Sequence, residues 1–254
     1  MKDAFDTGLN RTGIATAPIE APKTIQGAEE GAGPAADGAA AALTRATYAR
    51  EAERIGGVPP PATLKGAAKT VLKALRGEKA SVFLDKLGER CAFERTGARL
   101  YEMLLIKAEA YPSWPGGPGR EDLLEIQRDE LSHFGLLQTC IEKLGADPTA
   151  MTPSADVAQN LSQGIPKVLA DPRTDLRQCL EGILVAELAD NACWETLVEL
   201  AQEAGQDDMA SLFEAARQRE ELHLTRVKDW LRQGVSAALN PKPGKSDRPA
   251  ARNQ

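Results

Sequence analysis

Aromatic residues are scarce in this chain: three Trp, three Tyr and five Phe make up 4% of it, which disfavours a sheet core built on aromatic and β-branched strands. Histidine is scarcer still, with two in 254 residues. The four cysteines, Cys91, Cys140, Cys179 and Cys193, form no CxxC pair, so a zinc ribbon, a four-cysteine iron site and a disulfide scaffold are all disfavoured. No apolar run approaches the ~20 residues of a membrane span. The opening residues MKDAFDTGLN have neither the basic start nor the apolar core of a secretory signal, and a cytoplasmic location is the expectation. An excess of positive charge is also missing. Lys and Arg number 31 against 37 Asp and Glu, a net −6, which argues against wholesale binding to nucleic acid.

What the chain does have is helical patterning, unevenly distributed. Ala, Gly and Pro supply 21 of residues 1–45, with seven large apolar residues among them. Such a composition cannot bury enough surface to offset the entropy of ordering, so residues 1–62 read as a flexible arm. Residues 63–79 follow as a short basic amphipathic helix: Leu64, Ala68, Val71, Leu72 and Leu75 share one face, with Lys65, Lys69, Lys73 and Arg76 around the rest. From 80 to 234 the period is helical throughout. The first long helix runs from about Ser81 to the loop PSWPGGPG, and the second from Arg120 toward Gly145, a plausible C-terminal stop. Pro148, Pro153, Pro166 and Pro172 interrupt the next stretch, which has room for one short helix near Asp156–Gln163. The third helix starts behind Thr174 or Asp175 as N-cap, and the fourth spans about Asp208 to Gln233. Residues 235–254 read as a disordered basic tail. The expected fold is all-α: two antiparallel helical hairpins joined by a long crossover, each long helix about 40 Å at 1.5 Å per residue.

The two hairpins repeat one design. Glu94 is followed seven residues later by Tyr101, and Glu187 seven residues later by Trp194. The second and fourth helices carry Glu130-x-x-His133 and Glu220-x-x-His223. Residues i and i+3 project from neighbouring points of one helix face, so a carboxylate and an imidazole at that spacing can hold the same ion. Such a pair with a single Glu from the adjacent helix makes a half-site, and two half-sites supply four carboxylates and two imidazoles. That donor set suits two iron or manganese ions. Four carboxylates balance two divalent ions, whereas without metal they are costly to cluster in a core. Phe83, Leu87, Cys91, Ala98 and Leu105 continue the stripe through Glu94, and Leu180, Ile183, Leu184 and Leu197 that through Glu187. Leu123, Leu137, Leu212, Val227 and Leu231 lie near the stripes of the other two helices. A lone Glu-x-x-His is a weak signal and reads equally as a surface ion pair. Here every histidine of the chain sits in one, with a partner glutamate at a matching offset.

These residues resemble the ferritin-like di-iron carboxylate superfamily, which includes bacterioferritin and rubrerythrin, over about Ser81 to Gln233. The resemblance implies a ferritin-like four-helix bundle holding two Fe ions, or Mn or a mixed Fe/Mn pair. Glu94 and Glu187 would be terminal carboxylates, Glu130 and Glu220 bridging ones, and His133 and His223 the terminal imidazoles. It implies an oxidoreductase reacting with O2 or peroxide in a ferroxidase- or peroxidase-like way, with an electron-donor protein as a possible partner. Tyr101 matches a tyrosine whose hydroxyl bonds a ligand carboxylate or donates an electron, and packing alone would equally place it. Asp190 would orient a ligating histidine, act as an extra carboxylate, or be merely solvated. Trp194 reads as core, Cys91 as a small buried residue or a redox sensor, and Arg90 and Arg95 as ion-pair or surface residues. The chain lacks the cysteine-rich electron-transfer domain of full-length rubrerythrin. It also carries an arm that cage-forming subunits usually lack, so a monomer or homodimer is expected in preference to a cage. Two other readings stand beside the oxidoreductase: an iron-storage protein, and a structural or stress module that holds metal for stability alone.

Overall fold

In the computed structural model of the chain, residues 13–31, 33, 38–60 and 78–240 are described, and every regular element among them is helical. The chain divides into two compact units, Met1–Arg54 and Ile55–Gln254.

In the first unit a short 3-10 turn at Ile14–Thr16 precedes α1 (Glu20–Gly31) and α2 (Ala39–Glu51). The arm expected to be flexible includes these two helices among its described residues. They have a local cause: alanine loses no side-chain entropy in a helix, and α2 opens with four alanines in a row. The burial argument stands, because neither helix contains a buried residue.

The second unit is built on four long helices. Helix α3 (Glu78–Ala110) begins three residues before the expected start, and the basic segment 63–79 lies outside the described residues apart from its last two positions. Helix α4 (Arg120–Lys143) opens where Asp122 accepts the Gly119 N–H at 2.8 Å, and it stops at Gly145, whose φ of 84° favours glycine. The crossover holds two short helices where one was expected, α5 (Pro153–Ser162) and α6 (Gly164–Ala170). Thr152 caps the first, with Pro153 in the opening turn, where its missing N–H costs nothing. Asp175, not Thr174, caps α7 (Leu176–Glu203), exchanging hydrogen bonds with Gln178. Thr174 instead accepts from the Lys107 ammonium.

Helix α8 (Asp207–Leu239) runs past the expected end at Gln233, so residues 235–239 are helical; residues 241–254 lie outside the described residues. Gly234, within this helix, is a contact glycine. A Cβ there would come within 2.7 Å of the Trp114 ring, whose Nε1 donates to the Trp230 carbonyl. The PSWPGGPG loop is seated on the last turns of α8 through this contact.

Helix α3 packs on α4 and α7 on α8, with further contact between α3 and α7 and between α4 and α8. Side-chain pairs set the directions. Arg90 meets Asp190, Tyr101 meets Glu187 and Lys107 meets Asp171, so α3 and α7 run antiparallel. Glu94 faces His133 while Ala98 faces Gln127, so α3 and α4 do too. The interior falls into two apolar clusters. One gathers Phe83, Leu87, Leu137, Trp194 and Phe213; the other gathers Leu104, Leu123, Ile183, Val227 and Trp230. Leu212, expected on the inward stripe, is 42% exposed, and its neighbour Phe213 takes the buried place. Between the clusters in chain level lies a belt of buried polar side chains, which a core tolerates only where they are paired.

Candidate metal centre

All six residues of the repeated motif are buried: Glu94, Glu130, His133, Glu187, Glu220 and His223. Five of them fall into two three-residue clusters, Glu94·His133·Glu220 and Glu130·Glu220·His223, whose ligand atoms lie within 4.8 Å of one another in each. The clusters share Glu220. One of its oxygens lies 2.6 Å from His133 Nδ1 and the other 2.9 Å from His223 Nδ1. Both clusters thus draw residues from both hairpins. Helices α4 and α8 face each other across the belt, and Glu220 reaches the histidine of the opposite hairpin as well as its own.

Glu130 and Glu187 sit apart from the position that Glu220 occupies between the two histidines. Glu130 was expected to bridge both ions with Glu220, but its Oε1 is 3.8 Å from His223 and it joins one cluster only. Its other oxygen is seated against Gly97 of α3, where a Cβ would come within 2.0 Å of it. Glu187 belongs to neither cluster, since its Oε1 accepts a short hydrogen bond from the Tyr101 hydroxyl. Tyr101 thus touches a carboxylate of the motif and also packs in the second apolar cluster. Glu94 Oε1 accepts from Trp194 Nε1 at 2.8 Å and lies 3.0 Å from Arg90 Nε. Trp194 is therefore a core residue that also holds a motif carboxylate. Glu94 Oε2 and Glu187 Oε2 are buried with no hydrogen-bond partner. Two orphaned carboxylate oxygens on an apolar face are what a bound cation would satisfy.

Asp190 does not orient a histidine. It pairs with Arg90, whose guanidinium is buried between Asp190, Glu94 and the Phe93 ring, 4.2 Å from the ring centroid. Of the two readings open for Arg90, the ion pair holds and the surface position does not. With Asp190 counted, five carboxyl groups face two imidazoles and one guanidinium. Pairing Asp190 with Arg90 leaves four carboxylates, the charge that two divalent ions neutralise. Cys91 lies in the first apolar cluster, and burial pushes its thiol up to about 11, so it is not a reactive thiolate.

Burial and the crowding of carboxyl groups dominate the electrostatics of the belt. Burial and the neighbouring Glu220 raise Glu187 to about 8. The same two causes lift Glu130 well above the carboxylate range, and burial does so for Asp190. Burial also acts against Glu220, but hydrogen bonds from His133 and His223 outweigh it and hold that carboxyl low. The histidines mirror this. Burial disfavours their charged forms, yet the facing carboxylates of Glu220 and Glu94 carry His133 to about 9, and those of Asp129 and Glu220 carry His223 to about 10.

The sequence pattern did not mark several supporting residues. Asp129, next to Glu130, accepts His223 Nε2 at 3.0 Å and is held in turn by Arg219. A proton fixed on Nε2 leaves Nδ1 free to ligate. Asn191 Nδ2 donates to the carbonyls of both Glu187 and Glu220, tying α7 to α8 at the level of the motif. Gly97 gives Glu130 its seat. The one available signal was position: Asp129 and Gly97 lie within three residues of motif glutamates. Asp129→Asn is expected to weaken metal binding by about 10- to 100-fold, because the amide no longer accepts as a charged group and leaves the tautomer unspecified. A chelator-competition titration measures this, and an unchanged affinity would leave Asp129 a surface residue.

No protein-family model, curated protein or solved structure matches the chain. No described helix is long and apolar enough to cross a membrane.

Proposed function

We propose that residues 80–234 form a ferritin-like four-helix bundle and act as a di-iron, or mixed iron–manganese, carboxylate oxidoreductase that reacts with dioxygen or peroxide. The observation that carries this reading is Glu220, whose two oxygens face two histidines from two helices in an apolar interior. Glu94, His133 and Glu220 would hold one ion and Glu130, Glu220 and His223 the other, with Glu187 in reserve on Tyr101. When bound, iron supplies the change of oxidation state that carboxylates and imidazoles cannot. The chain's own residues do the rest. Arg90 and Trp194 fix the Glu94 carboxylate, Asp129 fixes the His223 ring, and the apolar clusters on either side keep bulk water from the polar belt. Tyr101 holds its phenolic proton firmly, since burial and Glu187 raise it well above its ordinary value. It therefore serves Glu187 as a donor.

Elemental analysis of protein purified from its source tests the reading. Two transition-metal ions per chain are expected, at least one of them iron, and none would overturn the proposal. Ferrous-loaded protein given oxygen or peroxide together with excess ferrous iron or another electron donor should consume the oxidant over repeated turnovers. A structural metal module would not. Size-exclusion chromatography should give a monomer or homodimer, and a shell of many subunits would favour storage.

A further inference from the structure

Glycine inside a long helix is unfavourable, and Gly97 sits near the middle of α3, three residues after Glu94. Its role is steric. A Cβ built there would meet Glu130 Oε2 at 2.0 Å and Cδ at 2.8 Å, closer than any real contact. The atoms met belong to the far end of a flexible side chain, so the helix backbone need not move; the carboxylate must. Where it could go is set by its surroundings. Glu130 Oε1 stands 3.8 Å from His223 Nδ1, while Glu220 meets the same nitrogen at 2.9 Å. Glu130 is thus drawn back from the histidine, toward α3, into the space that Gly97 leaves.

We propose that Gly97 is a positioning residue for Glu130: the absent side chain forms a seat into which this carboxylate withdraws, making Glu130 the movable ligand of the pair. The inference rests on the di-metal reading above. Filling the seat with a methyl group confines Glu130 to its forward position, closer to Glu220 and His223. In the metal-free protein that crowding is unfavourable, because the displaced carboxyl is pressed against Glu220 and His223 in an interior that is already packed. With metal bound, Glu130 would be one of the ligands, and confinement near Glu220 and His223 would cost it less. What raises the free energy of the metal-free form alone tightens metal binding, by linkage.

The test compares wild type, Gly97→Ala and the control Gly135→Ala. Gly135 is also helical, in α4, and a Cβ there meets nothing within 4 Å. Each protein is stripped with chelator and titrated anaerobically with Co(II), the absorption reporting each bound ion. Wild type and the control should bind two ions with equal affinities, and metal-free Gly135→Ala should melt about 2–4 °C higher through helix propensity alone. Metal-free Gly97→Ala should melt below the control, and its more weakly held Co(II) should bind about tenfold more tightly than in wild type. Unchanged or weakened binding of that ion, or loss of helix content, would overturn the seat. If wild type binds no Co(II), the di-metal reading fails first. If wild type binds two and Gly97→Ala matches it, only the role of Gly97 fails.

Discussion

Replacing Glu220 with glutamine is expected to strip both metal ions at once. The substitution keeps the volume and removes the charge, so its effect is electrostatic and not a cavity. Each cluster has three donors, and Glu220 is the one they share. Without its carboxylate, each ion is left with one histidine and one glutamate from these clusters. Elemental analysis should find the content falling from two ions per chain toward none. Glu187→Gln is the internal comparison. Glu187 is equally buried and motif-borne but lies in neither cluster, so it should retain most of the metal. Equal loss in the two variants would refute the shared role of Glu220. A second consequence concerns the protein without metal. Glu220 is the acceptor that keeps two buried imidazoles charged, lying 2.6 Å from His133 and 2.9 Å from His223. Removing one partner of a buried ion pair costs about 3–5 kcal/mol. Urea unfolding of metal-free Glu220→Gln should show a loss of this order, and a loss below about 1 kcal/mol would mean that the histidines are neutral in the folded chain.

The helices and the inward direction of the motif were legible because both are local. A 3.6-residue period can be read along the chain, and a Glu three residues before a His lies on the same face whatever else packs there. The placement of buried residues on that face followed: Glu94, Glu130, Glu187, Glu220 and both histidines are all inside. What the pattern could not reveal is which residue meets which across helices. The cluster membership of Glu220 depends on how α4 faces α8, a tertiary fact with no signature in either motif. Arg90 shows the same limit from the other side. An arginine on a helix reads as an ion-pair or a surface residue, and only the arrival of Asp190 from α7 decides between them. Gly234 and Gly97 were illegible for a third reason. Glycine in a helix reads as a stop or a weakness, yet both are places where another side chain approaches too closely for a Cβ. In each case the missing information was a partner distant in sequence.

The second large effect is on how the metal-free protein responds to pH. Glu187 rises from an ordinary value near 4.5 to about 8 on folding, so between those limits the folded chain holds a proton that the unfolded chain has released. Its contribution to stability is full below pH 4.5 and declines as pH rises, by about 1.4 kcal/mol per pH unit while the difference persists. Glu130 and Asp190 shift in the same direction for the same cause, burial. The histidines add to the trend. Their folded values near 9 and 10 lie above the ordinary 6.5, so their pairing with Glu220 and Asp129 stabilises fully below 6.5 and is lost as pH passes 9 to 10. On the acid side the sign reverses. Glu220 and Asp129 are held low, and what they contribute disappears only as pH falls through their folded values, below the usual carboxylate range. The metal-free protein should therefore melt highest near pH 5 and progressively lower toward pH 9. Bound metal would invert this dependence, because each ion would displace protons from the glutamates and histidines that hold it and so gain affinity as pH rises. The gap in melting temperature between metal-loaded and chelator-stripped protein should then widen steadily from pH 5 to pH 8.5. A stripped protein whose melting temperature is flat or rising over that range would mean that the buried carboxylates carry no extra protons. The charge conflict inferred at the centre of the molecule would then not exist.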